Sequence, residues 1–233
     1  MLIKSLMLLL SLILSFSSFG ITVDKMVIIP SKDEKRSEIK VNNPDLYPVF
    51  LKLSLSELDD NGQIIESKVD DFQNWAVYLD RDEYVLDPSE EIIIPVQLLA
   101  RQLGKMQNKD RIIAIDIMPE SVVNSDPKGQ VMNILIGYRV WLILSKDGEI
   151  LGKPSVELGA EGYVLKNDSN SVAIYNLDLC ETSFKKGVEC RGSEFVLSGK
   201  EKKLDLKAFK GGQANISIRD PYSRYLIESK IKL

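Results

Sequence analysis

Side-chain chemistry needs a nucleophile, a base or a metal ligand, and this chain is poor in all three. It contains no histidine and only two cysteines, Cys180 and Cys190, so neither a Ser-His-Asp nor a Cys-His arrangement can be assembled. Adjacent carboxylates occur at Asp59-Asp60, Asp70-Asp71 and Glu90-Glu91, and paired carboxylates can act as acid and base. Each pair lies among turn formers or at a strand end and reads more simply as solvated surface. Trp75 and Trp141 have flat faces that stack on sugars and the bulk that fills cores, and the second use is the commoner. Gly211-Gly212 lies between strand-like runs and lacks the helix that a phosphate-binding loop must open. The expectation is no enzyme, no metal site and no cofactor.

The N-terminus explains what the cysteines do. Lys4 precedes a leucine-rich run from Leu6 to Phe16, and small residues follow up to Gly20. A cationic start, a short apolar segment, and Ser18 and Gly20 at the minus-three and minus-one positions make residues 1–20 a secretory signal peptide. No later segment has the roughly 18 consecutive apolar residues that a membrane helix needs, so no membrane insertion is expected. Export places Cys180 and Cys190, ten residues apart, in an oxidising compartment, where they are expected to form one disulfide. The exported chain carries 29 basic and 34 acidic residues with interspersed signs, a net of minus five. That is not a nucleic-acid footprint.

The elements that position these residues are strands. Val49, Leu51, Leu53 and Leu55 alternate with Phe50, Lys52, Ser54 and Ser56, the period-two pattern of a half-buried strand. Turn signals at Asn43-Pro44, Asn61-Gly62, Asp87-Pro88, Asp126-Pro127 and Asp147-Gly148 punctuate the chain at the spacing of an all-β sandwich. Helical periodicity is weak, and its best window, Pro95 to Lys105, starts on a proline and contains Gly104. The segment SKDGEILGKP holds turn formers and a proline, as expected of a domain boundary. The division this predicts is a first domain over 21–145, a linker over 146–154 and a second domain over 155–233 containing the disulfide. The stretch from Val131 to Leu144, VMNILIGYRVWLIL, differs from the other strands because it is apolar on both alternating faces and carries one charge. Such a strand is either buried on both sides by its own domain or has one face kept for a partner.

Three stretches resolve the choice by resemblance: IIPSKDEKRSEIKVNN, QNWAVYLDRDEYVLDPSEEIIIPV and VAIYNLDLCETSFKKGVEC. Together with the domain order, the polar loop before the long strand and the linker after it, they resemble the periplasmic chaperones of the chaperone/usher pilus pathway, most closely the alternate, colonisation-factor branch. The resemblance covers the whole exported chain. It implies two consecutive immunoglobulin-like β-sandwich domains with a cleft between them, a periplasmic location, pilin or fimbrial subunits and an outer-membrane usher as partners, and assembly of the fimbrium as the task. It also implies that the strand 131–144 is lent to an incomplete subunit, a form of strand addition.

By this resemblance the subunit-binding residues are Met132, Ile134, Ile136 and Tyr138, with Leu135 and Val131 facing the chaperone's own core. The family anchors the subunit's terminal carboxylate with basic residues of the first strand and the long strand. The ungapped counterparts here are Val27 and Trp141, which are not basic, and Lys25 and Arg139 stand two residues earlier in each case. Because an offset of two keeps strand parity, Arg139 and then Lys25 are the expected anchors; the other reading of Arg139 is a charge that pairs locally at a sheet edge. The alternative to this reading is an exported two-domain binding or adhesion protein, whose binding aromatics would lie in loops at a sandwich tip.

Overall fold

In a computed structural model the described residues are 20–59, 61–66, 75–99, 109–120, 135–160, 162–184 and 187–233. The signal segment up to residue 19, the pair Asp70-Asp71, and Val131, Met132 and Ile134 of the long strand lie outside them.

Ten strands come first: β1 (Thr22–Val23), β2 (Val27–Ile28), β3 (Arg36–Asn42), β4 (Val49–Leu58), β5 (Ile64–Glu66), β6 (Tyr78–Leu79), β7 (Glu83–Leu86), β8 (Glu91–Gln97), β9 (Arg111–Glu120) and β10 (Tyr138–Leu144). They form one sheet in the order β1-β3-β8-β6 and a second in the order β2-β10-β9-β4-β5, with β7 also paired to β4. The two sheets enclose a core that includes Ile39, Leu51, Ile94, Ile115, Ile117 and Leu142. Alternation builds this core directly. In β3, Ser37, Ile39 and Val41 are buried and the residues between them are exposed, as a sheet with one wet face requires. Pro95 lies within β8, so the start of the weakly helical window is a strand.

Nine more strands follow: β11 (Pro154–Gly159), β12 (Gly162–Asn167), β13 (Ala173–Asp178), β14 (Ser183–Phe184), β15 (Arg191–Val196), β16 (Glu201–Lys203), β17 (Phe209–Lys210), β18 (Gln213–Arg219) and β19 (Leu226–Lys232). They make sheets β11-β12-β16, β15-β13-β18-β19 and β14-β17 around a second core that includes Leu165, Tyr175, Ile216 and Ile218. No strand is shared with the first set of sheets. Among the described residues the architecture is that of two successive immunoglobulin-like sandwiches, built almost wholly of strands, as expected from the sequence.

A buried asparagine pins the same corner of both sandwiches. Asn43, just after β3, donates from Nδ2 to the carbonyls of Tyr47, Leu86 and Asp87 at 2.9, 3.2 and 3.1 Å. Asn167, at the end of β12, donates from Nδ2 to the carbonyls of Ser171 and Val196, both at 2.8 Å. Both side chains are fully buried, and each supplies a donor to carbonyls gathered at its turn.

The two sandwiches meet through a polar joint. Asp110 accepts from the backbone of Lys146 at 2.8 Å and of Val172 at 2.6 Å, and from the Ser171 hydroxyl at 2.8 Å. Arg224, paired with the buried Asp220 at 2.7 Å, donates to the carbonyls of Lys146 and Gly148 and to the Ser145 hydroxyl. Gly152 passes so near the second sandwich that a Cβ would stand 2.0 Å from the Asp168 carbonyl oxygen, and its φ is +77°. Only glycine fits there.

Cys180 and Cys190 are joined, with Cα atoms 4.9 Å apart. The loop is short, so the crosslink restricts the unfolded chain by only about 2–3 kcal/mol. Replacing both cysteines by serine is expected to lower the melting temperature of the second sandwich and to leave the first unchanged, as differential scanning calorimetry of the double variant would read.

Candidate functional site: an open strand edge in the first sandwich

Among the described residues Glu38, Asp80, Glu83 and Glu90 line one open groove of the first sandwich together with Arg36 and Arg81, and no carboxylates form a cluster of metal-ligating type. The Oδ1 of Asp59 accepts the backbone N–H groups of Asn61 and Gln63 at 2.9 and 2.7 Å. Glu90 accepts that of Asp87 at 2.7 Å. Both are turn residues tying their own backbone, as Asx-type motifs do.

The unusual feature is β10. One flank is paired with β9 along the full length Tyr138–Leu144. The other is paired with β2, in parallel, only at Trp141↔Val27 and Leu142↔Ile28. The Trp141 N–H donates to the Met26 carbonyl at 2.8 Å, so odd-numbered residues of β10 turn their backbone groups to this flank and even-numbered ones turn theirs to β9. Arg139 therefore presents its backbone to a stretch of edge that β2 does not cover. Uncovered edge is a template for another strand.

The side chains divide by parity. Val140, Leu142 and Leu144 are fully buried in the first core, and Tyr138 is half-buried against the same core. Ile136 has their parity but lies beyond the core and is 60% exposed, and Leu135 is 47% exposed. The expectation that Leu135 faces the protein's own core is thus corrected. The core-facing residues of this strand are the even ones, and the sandwich ends before residue 135. The expected single strand over 131–144 is also shorter among the described residues, because 135–137 are outside any strand.

Arg139 lies on the outer face, directly across from Asp116. Its Nε and Nη2 donate to the two Asp116 carboxylate oxygens at 2.6 and 2.8 Å, and its guanidinium lies 5.6 Å from the Trp141 ring centroid. The hydrogen bond to Asp116 raises the Arg139 pKa further above its ordinary value. Asp116 thus gives this lone charge of the strand an acidic partner within the chain, which is the local pairing of the other reading of Arg139. The two N–H groups of Nη1 face neither Asp116 oxygen in this fork. Lys25 pairs with Asp24 at 3.1 Å. Extending the β2–β10 register by two residues sets Lys25 level with Arg139, and the positions matched by resemblance, Val27 and Trp141, are register partners.

Two immunoglobulin-like sandwiches meeting at a cleft, the first with a partly open long-strand edge, define the chaperone fold of fimbrial assembly. Solved structures agree. The periplasmic chaperone SfaE is similar at 11% identity and a TM-score of 0.54, over 91% of this chain and 98% of that one. The class 5 fimbriae chaperone CfaA is similar at 10% and 0.53, over 91% and 98%. A structure of the Salmonella enterica SafA pilin in complex with the SafB chaperone is similar at 12% and 0.60, over 94% and 99%. Residues 23–145 match the family model of the CS5 fimbrial protein N-terminal domain, and the chain belongs to that family. No curated protein sequence matches the chain.

Proposed function

We propose that this protein is a periplasmic chaperone that holds fimbrial subunits by donating part of the strand 131–144 and delivers them to an outer-membrane usher. The observation that carries the reading is the edge of β10, open before Trp141 and continued by the exposed Leu135 and Ile136, in a member of a fimbrial family. A subunit lacking a strand exposes a sheet edge and a slot of its core, and a lent strand covers both. Residues 1–20 direct export, and 21–145 and 155–233 are the two domains joined by 146–154; sheets that share no strand support a two-domain division, with Pro154 already the first residue of β11. Met132, Ile134 and Ile136 fill the subunit's slot, and Tyr138 marks the border with the chaperone's own core. Co-expression with the open reading frames that neighbour its own tests the reading. A subunit should co-purify from the periplasm with the full-length chain and be degraded in its absence.

Arg139, with Lys25 level with it, anchors the subunit's terminal carboxylate. The guanidinium keeps one side on Asp116 and offers the other, replacing hydration that the carboxylate loses on entry. Arg139→Ala is expected to weaken capture by about 2–5 kcal/mol where the subunit carboxylate is left buried and unpaired, and Lys25→Ala by less. Titration of purified subunit against each variant reads the difference, and equal affinity for Arg139→Ala and wild type would remove the anchor.

A further inference from the structure

β9 outruns its partner. It pairs with β4 as far as Phe50↔Glu120, but with β10 only as far as Ile117↔Tyr138. The next pair in which both residues would face each other with N–H and C=O is Ile136 opposite Pro119. Proline has no N–H, so this pair cannot close on both sides, and proline in a strand is confined to places where no ladder bond is needed. One residue on, Gly137 lies beneath the Met118 side chain. A Cβ at 137 would stand 2.3 Å from the Met118 sulfur and 3.1 Å from the Ile117 carbonyl oxygen. The strand leaves its own sheet at this step, and Ile136, freed from β9, is 60% exposed.

We propose that Pro119 is a positioning residue: by withholding the donor opposite Ile136, it ends the protein's own ladder there and leaves both backbone edges of the departing strand to a partner sheet. The inference rests on the strand-donation reading and sharpens it. A strand that replaces a missing internal strand must be bonded on both flanks, whereas one still paired to β9 can offer only one. Pro119 and Gly137 set the point of exchange between the two sheets, and so the register from which the partner is addressed.

Amide hydrogen exchange on the protein without any partner decides the matter. The Ile136 amide should exchange at least about a hundredfold faster than that of Val140, since it belongs to no closed ladder. Pro119→Val, which restores the donor in a strand-forming residue, should slow Ile136 exchange at least about tenfold and reduce capture of the fimbrial subunit that co-purifies with wild type. Pro119→Ala should do the same to a smaller extent. Wild-type protection at Ile136 equal to that at Val140 would overturn the proposal, as would a Pro119→Val protein with slowed exchange and undiminished capture. Exchange in the partner-free protein does not depend on capture, so a failure of strand donation itself would appear separately, as normal capture by an Ile136→Asp variant.

Discussion

Ile136→Asp should leave the chaperone folded and abolish subunit capture. The side chain is 60% exposed in the free protein, so a carboxylate there remains hydrated and changes stability by no more than about 0.5 kcal/mol. In the complex the same carboxylate would enter an apolar slot without a partner, at a cost of several kcal/mol. A penalty of about 4 kcal/mol is roughly a thousandfold in affinity. Thermal melts and subunit pull-down on the same preparation separate the two effects. A variant that melts early yet still captures subunit would mean that Ile136 serves the protein's own packing.

Asn167→Ala and Asn43→Ala should each destabilise their own sandwich strongly. Removing Asn167 takes the amide donor from the Val196 carbonyl and from that of Ser171, which keeps the Ser169 hydroxyl, and removing Asn43 takes it from the Tyr47 and Leu86 carbonyls and from that of Asp87, which keeps the Glu90 N–H. At about 1–3 kcal/mol for each buried group left unsatisfied, a loss on the order of 2 kcal/mol is expected at either corner. Urea unfolding would read it as a lower midpoint at unchanged slope. The Asn167 variant should also loosen the joint between the sandwiches, since Ser171 of the same turn donates to Asp110. A midpoint within error of wild type would show that these carbonyls find other donors.

Much of the fold could be read locally. The alternation of Val49, Leu51, Leu53 and Leu55 with Phe50, Lys52, Ser54 and Ser56 became β4 because alternation and turn residues are properties of neighbours in sequence. What escaped reading depends on residues far apart in the chain. Asn43 was legible as part of a turn with Pro44, but its burial under carbonyls from positions 86 and 87 comes from the packing of the β7–β8 turn. The long apolar run from Val131 carries no internal signal that its strand begins at Tyr138. That limit is set by Pro119 on the facing strand. Asp116, similarly, becomes the partner of Arg139 only once β9 and β10 are in register. The donor residues Met132 and Ile134 lie outside the described residues, so their role rests on the resemblance and on the exposed Ile136 that follows them.

The central claim is that the backbone edge of this strand is given to a subunit. It is tested most directly by comparing amide exchange in the free chaperone with that in its complex with a co-purified fimbrial subunit. The amides of Leu135, Gly137 and Arg139 should become protected by at least about a hundredfold in the complex, while those of Val140 and Leu142, already bonded to β9, change little. A stable complex in which Leu135, Gly137 and Arg139 exchange as fast as in the free protein would contradict it.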